Sequence, residues 1–529
     1  MQRRPLILLA LCLAAFVISV DVTIVNVALP TLVRSLGAST TQLQWVVDAY
    51  SLVFAALVLA AGSLSDRFGR KGTLLIGLGV FALASLAGAI SATTGELIAA
   101  RAVMGLGAAL MFPSTLSLLV NVFTERGDRA KAIGLWGATT GVGIAMGPIV
   151  GGWLLERFAW GSIFVFMAIV AAAIAVLVAG AVPTSRNPGT PPLDWRGLVL
   201  STAGMAVLVL GVIEAPDWGW GSAASVASLA LGGLLLAVFV LVEGRIEHPM
   251  LDVALFRNPR FTAASGSVAV SFFALSGFIF LVTQYFQFVK DFTPLSTGVR
   301  LLPVAASVGI TSVVGTKLAV RVGNKAVVGT GLLLFGTALL WISAQNGSTS
   351  YGVIVLQMLV LGSGMGLTSA PATEAIMGVV PAAKAGVGSA VNDATRLFGG
   401  TLGVAIIGSL AASLYASRLA ATLPPALPAR AVAGSNGSFG GAIIASRQLS
   451  KLGFRHAAQG LAHTATNAFL YSLAGGCRVA GGVAIAGAFL AIVFLPARPR
   501  HDSEAAGQAQ IATPPPVEPV LVHGPVSGT

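Results

Sequence analysis

The chain has 529 residues, of which 56% are hydrophobic and 9% charged, with a mean hydropathy of +0.88. Soluble domains carry roughly 25% charged residues, so this composition excludes a soluble globular fold and requires many membrane spans. The formal net charge of +12 does not argue for nucleic acid, because the basic residues are spread through short loops instead of clustering on one face among aromatics.

A helix needs about 20 apolar residues to cross the hydrocarbon. By that measure spans are predicted at 6–30, 43–64, 73–92, 96–120, 131–154 and 161–182. The first follows Met-Gln-Arg-Arg-Pro and superficially resembles a signal peptide, but its apolar run continues to Pro30, too long for such a core, so it reads as a retained helix. A Pro-rich, basic break from Pro183 to Arg196 precedes two further spans at 197–214 and 222–242. A second block follows at 261–288, 297–319, 326–344, 351–377, 387–412 and 474–496, giving about fourteen spans in all. The fold class is therefore an all-α membrane protein. The expected units are an N-terminal six-helix bundle (1–185), a linker with two additional helices (186–260), a C-terminal six-helix bundle (261–498) and a disordered cytoplasmic tail (499–529). Residues 413–470, rich in Ala, Gly and Pro, read as a long outer loop that either folds over the outer mouth or is a solvated connector.

Lys and Arg crowd the turns on the side of the N-terminus, whereas the opposite short loops hold Arg34, Arg157, Lys290 and Arg300. This bias puts both termini in the cytoplasm of an inner or plasma membrane, with anionic lipid headgroups as counterions of the basic loops. Leu64, Arg67, Gly69 and Lys71 are matched at the same spacing by Leu318, Arg321, Gly323 and Lys325, with Val320 where the first copy has Asp66. Duplicated halves of this kind place a substrate site between them near mid-membrane.

Several residues carry chemistry. A carboxyl in hydrocarbon is costly as an anion and tolerable as a neutral acid, which suits it to carry a proton. Asp21, Asp48, Glu374 and Asp393 are such acids, and Arg101 is a cation within the fourth span; together they are the candidate proton-coupling set. The bland alternatives are carboxyls that knit helices together, an interfacial helix-end charge for Glu374, near the inner end of its span, local pairing of Asp393 with Arg396, and an Arg101 that reaches back to the outer face. Gly62, Asp66, Arg67, Gly69, Arg70 and Lys71 form a tight basic turn between two spans. Gly143, Gly147, Pro148, Gly151 and Gly152 combine small residues at four-residue spacing with a helix-bending proline, a plausible hinge. Asn26, Tyr50, Met111, Phe112, Trp136, Phe278 and Gln284 are candidates for an adaptable substrate-binding wall. Cys12 and Cys477 lie in apolar segments, so neither a disulfide framework nor a thiol metal site is supported, and no cofactor or metal is expected.

The Gly62–Lys71 turn resembles the G-x-L-x-D-R-x-G-R-K signature of the major facilitator superfamily. The run Arg-Ala-Val-Met-Gly-Leu-Gly-Ala-Ala from Arg101 is similar to its R-x-x-x-G-x-G-A-A element, although Met104 stands where Gln is frequent. Gly143–Leu154 resembles the element that marks exporters. The Asp21–Pro30 run, the two-helix insertion, the stretch Leu255–Phe261 and the long last outer connection resemble the fourteen-spanner drug:proton antiporter family, while Phe166-Met167-Ala168 replaces its frequent Asn-x-Pro. The resemblance implies a major facilitator fold of two six-helix bundles plus two inserted helices, and proton-driven export of drugs or toxic compounds by alternating access; acids in the cavity would favour lipophilic cations, with neutral or amphipathic antibiotics left open. It also ties Arg101 to proton transfer. An exporter dedicated to one endogenous metabolite, lipid or antibiotic, a sodium-coupled carrier and a non-transporting receptor are the alternatives. No phosphate-binding loop or nucleophile constellation points to an enzyme. Small-molecule substrates, protons and lipids are the expected partners, and a monomer the expected working unit.

Overall fold

The computed structural model describes residues 4–185, 194–247, 249–380, 385–423, 435 and 437–495. Among these residues there is no strand, and 14 helices are long and apolar enough to cross a membrane. In the first half these are α1 (Arg4–Leu36), α2 (Thr40–Phe68), α3 (Arg70–Ala89), α4 (Thr94–Val122), α5 (Arg126–Arg157) and α6 (Ser162–Ala181). The inserted pair is α7 (Trp195–Trp218) and α8 (Ala223–Glu243). The second half contains α9 (Pro259–Gln284, ending in a π turn over Tyr285–Val289), the short α10 (Pro294–Arg300), α11 (Leu302–Val322), α12 (Asn324–Ile342), α13 (Tyr351–Met377) and α14 (Ala385–Thr422). It closes with α15 (Phe439–Lys451) and α16 (Arg455–Phe494).

Local chemistry fixes several of the helix starts. Ser39 and Gln42 form a reciprocal capping box at α2, as Thr93 and Glu96 do at α4, so the first backbone N–H groups are satisfied where a short turn leaves them without carbonyl partners. Gly69, at φ +118°, makes the sharp reversal from α2 to α3, and Gly323, at φ +91°, makes the same reversal from α11 to α12.

The repeat seen in the sequence extends to packing. In the first half α1 lies on α5, α2 on α4, and α3 on α4 and α6; in the second α9 lies on α14, α11 on α13, and α12 on α13 and α16. Gly105 lets α4 close onto the Tyr50 carbonyl, and Gly362 lets α13 close onto the Val304 carbonyl: a Cβ at either glycine would stand 2.5 Å from that oxygen.

The two halves meet at the end remote from the Gly62–Lys71 turn. There Gln44 of α2 donates to the Val404 and Ala405 carbonyls and to Ser409 of α14 (3.0–3.2 Å), and Gln287 donates to the Val27 carbonyl of α1 at 2.9 Å. Gly152 of α5 lies against Leu295 of α10. Toward the basic-turn end, α5 shows Ile133, Leu135, Val142 and Ile144 exposed.

The described residues of 413–470 are mostly helical, not the loop that composition suggested, and residues 424–434 and 436 lie outside them. Residues 413–422 continue α14, α15 occupies 439–451 and α16 starts at Arg455, well before the predicted 474. Arg418, Arg447, Lys451 and Arg455 lower the hydropathy here without opposing helix, and alanine favours it. The segment bridges both halves at the remote end. The Gly437 carbonyl accepts from Thr40 N–H at 3.0 Å, Gly440 packs against Phe288 and Val33, and Phe439 stacks on Phe469 with ring centres 4.4 Å apart. The tail 499–529 lies outside the described residues.

Candidate functional site

At the centre of the first half, Arg101 is 1% exposed and Asp21 not at all. Arg101 Nη1 donates to Asp21 Oδ2 at 2.7 Å and Nε donates to the Val46 carbonyl at 3.1 Å. The guanidinium lies 4.3 Å from the centre of the Tyr50 ring. Arg101 therefore turns into the bundle and does not reach back to the surface. Gly105, one turn further along α4, brings α4 close enough to α2 for this geometry. Asp21 Oδ1 and the Tyr50 hydroxyl have no hydrogen-bond partner, so the pair is held on one side and unsatisfied on the other. With the acid ionised, the pair is neutral overall. A proton on Asp21 would leave a buried cation without a counterion, and breaking one side of a buried pair costs about 3–5 kcal/mol.

The proton-coupling candidates do not form one cluster. Asp48 is fully buried with neither oxygen partnered. One turn before it Gln44 bonds to α14, and one turn after it Leu52 packs with Met205, Val209 and Ile213 of α7. Helical periodicity therefore points Asp48 into the α2–α7–α14 seam, away from Asp21. Glu374 is exposed at the end of α13, and Asp393 is half-buried on α14. Near Asp393, Arg396 donates to Thr373 Oγ1 at 3.0 Å and lies 5.4 Å from the Phe272 ring centre; Thr373 is the polar member of this node that the sequence did not single out.

The wall candidates divide in the same way. Tyr50, Phe54, Phe112 and Trp136 form steps of edge-to-face and tilted rings, with centres 5.9, 5.8 and 5.2 Å apart, that lead from Arg101 across α4 to α5. Trp136 Nε1 donates to Thr115 Oγ1 at 3.1 Å, and both Phe112 and Trp136 are partly exposed. Met111 is fully buried against Gly77 and packs α3 to α4, so it is not a wall residue. Neighbours on a helix point about 100° apart, which is why Phe112 reaches the steps and Met111 does not. Phe278 is buried in the core, and Asn26 and Gln284 donate to their own helices, at Val22 and Phe280. Phe54, which completes the steps, and Gln44 were missed; spacing alone could have flagged Gln44, one helical turn before Asp48.

The basic turn ties the first half to itself. Arg70 Nε donates to Asp66 Oδ1 at 2.6 Å, Lys71 to the Ala179 carbonyl at the end of α6 at 2.7 Å, and Arg70 N–H to the Ser185 carbonyl at 2.9 Å. A Cβ at Gly62 would stand 3.7 Å from that of Pro113, an ordinary contact, and Arg67 is exposed.

The α5 glycines have two faces. Gly143, Gly147 and Gly151 press on α1 at the carbonyls of Phe16, Val20 and Ile24, while Gly152 and the Pro148 carbonyl meet α10 of the other half at Leu295 and Gly298. Pro148 also deprives the Ile144 carbonyl of its helical donor. Thr23 of α1 supplies a hydroxyl 3.1 Å from that oxygen.

Two repeated bundles of apolar helices that meet at one end, with a buried ion pair inside one of them, have the architecture of a membrane transporter. The description of the Major Facilitator Superfamily fits residues 11–404, and the chain belongs to that superfamily. It is 36% identical over 447 residues to the multidrug efflux pump LfrA of Mycolicibacterium smegmatis, covering 84% of this chain and 88% of that one. It is 33% identical over 500 residues to the tetracenomycin C resistance and export protein of Streptomyces glaucescens, covering 93% and 92%. A solved structure of a bacterial homolog of the human lysosomal transporter Spinster, inward-facing and occupied, aligns with a TM-score of 0.68 at 16% identity over 94% of this chain and 98% of that one. At that identity the likeness concerns the fold.

Proposed function

We propose that this chain is a proton-coupled antiporter that exports lipophilic drugs or toxic compounds, cationic ones above all, by alternating access. Both termini lie in the cytoplasm and a single chain is the working unit. The moving bodies are the bundles at 1–185 and 261–498, joined by 186–260. In this orientation the closed remote end faces outward, so the arrangement described above is inward-facing. The names of the relatives, an efflux pump and an export protein, support the direction of transport.

The observation that carries the reading is the Asp21–Arg101 pair. Substrate enters from the cytoplasm against Phe112 and Trp136, whose ring faces favour cations. After the halves rock, a proton arriving at Asp21 removes the counterion of Arg101, and that strain is relieved only by moving α1 relative to α4. The magnitude is informative. About 3–5 kcal/mol from the broken pair falls short of the roughly 5.5 kcal/mol needed to invert a two-state equilibrium from 1:99 to 99:1. Substrate release or a second acid, Asp48 or Asp393, must supply the remainder. The test is ethidium uptake into energised inverted vesicles. It should stop when the pH gradient is collapsed and be absent for Asp21→Asn; uptake that ignores the pH gradient and follows a sodium gradient would refute proton coupling.

A further inference from the structure

The inserted helix α7 touches both halves at the remote end, and it does so with different chemistry on each side. Toward α2 it offers carboxylates: the half-buried Glu214 accepts from Trp45 Nε1 at 2.8 Å, and Asp217, exposed at the end of α7, accepts from Thr41 Oγ1 at 2.8 Å. Toward α14 its contact is apolar: Val209, Val212 and Ile213, in a cluster that also takes in Leu52 and Ala55 of α2, pack with Ala405 and Leu402. A single exposed hydrogen bond between neutral groups, Trp220 Nε1 to Ser413 Oγ at 2.9 Å, adds to that side. The same region of α14 receives Gln44 of α2. Opening the remote end separates α2 from α14, and α7 must then leave one of them.

The two contacts differ in what replaces them. Lipid tails are as apolar as leucine, so the α7–α14 face is exchanged for lipid at little cost, whereas hydrogen bonds to carboxylates are about twice as strong as neutral ones, and that of the half-buried Glu214 has no substitute in hydrocarbon. We propose that α7 travels with the N-terminal half, anchored by Glu214 and Asp217, and that the α7–α14 face is the seam that opens in each transport cycle. Glu214 is then a positioning residue: through Trp45 it sets where α2 stands, and with it the wall around Asp48.

The inference rests on the alternating-access reading above, and two cysteine pairs test it in the full-length protein. Thr41→Cys with Asp217→Cys ties α7 to α2, and Trp220→Cys with Ser413→Cys ties α7 to α14, each joined by a cleavable bifunctional thiosulfonate. The native Cys12 and Cys477 are buried. Ethidium transport should persist within about twofold when α7 is tied to α2. It should fall at least tenfold when α7 is tied to α14, and return on reduction. Transport that survives the α14 tie, or is lost with the α2 tie, overturns the proposal. Before cross-linking, each pair must transport; absence there and in the wild type would indict the transporter reading instead. Should either pair fail to fold, Glu214→Leu against Glu214→Gln decides. The amide carbonyl still accepts from Trp45, so Gln should keep wild-type KM and outer-side labelling of a cysteine at Ser409, while Leu should raise both at least threefold. Equal behaviour of the two variants in properly folded protein also overturns it.

Discussion

The two halves share a packing scheme and differ in what they bury. In the first half the α1–α4 crossing holds Asp21 against Arg101 beneath Tyr50. The glycine contacts that align the halves, Gly147 on Val20 with Gly403 on Phe273 and Gly105 on Tyr50 with Gly362 on Val304, put Ala274, Met358 and Val304 at the corresponding places. All of these are buried. An alanine, a methionine and a valine therefore suffice to pack this crossing. The second half packs the same crossing without charges, and this supports the proposal that those of the first half serve the transport cycle.

The comparison can be broken by making the halves alike. Asp21→Ala with Arg101→Met copies the second half into the first. Replacing a buried ion pair by apolar groups is often neutral or stabilising by about 1–4 kcal/mol, so this double variant should unfold in detergent at or above the wild-type temperature while proton-driven ethidium transport falls more than about 100-fold. Loss of folding would mean the pair is structural. Asp21→Asn alone should also abolish coupling, but it strands Arg101 and should cost about 3–5 kcal/mol, visible as a clear drop in the thermal midpoint.

Arg101→Lys sharpens the point. It keeps the charge but lacks the fork that reaches Asp21 and the Val46 carbonyl together; a fall of about tenfold in kcat/KM is expected from losing roughly one such hydrogen bond. A smaller effect belongs to the α1–α5 contact. Thr23→Val removes the donor near the Ile144 carbonyl and should lower stability by about 1 kcal/mol, read as a shifted midpoint with transport retained. Smallest of all, Met111→Leu should leave the substrate profile unchanged, because Met111 packs α3 to α4, whereas Trp136→Ala should change KM for aromatic substrates several-fold.

Hydropathy gave the span count, and the Gly-Pro pattern of α5 marked a helix that packs closely on its neighbours. What the sequence could not supply was pairing. Asp21 and Arg101 each stood out as charges in apolar runs, but their contact joins residues 80 apart, and nothing in either run shows that they meet while Asp48 faces another way. Met111 and Phe112 are adjacent letters on different faces of α4. Residues 439–451 misled for a different reason: an amphipathic helix with Arg447 and Lys451 four residues apart scores poorly on hydropathy and reads as a loop.

The most direct test of the central claim, that the Asp21 proton drives the cycle by releasing Arg101, is proton movement caused by a substrate gradient. In proteoliposomes carrying an internal pH dye, a downhill ethidium gradient imposed on the wild type should move protons in the opposite direction. With Asp21→Asn, ethidium should exchange with little or no proton flux. Proton flux at the wild-type ratio in the Asp21→Asn protein would contradict the account.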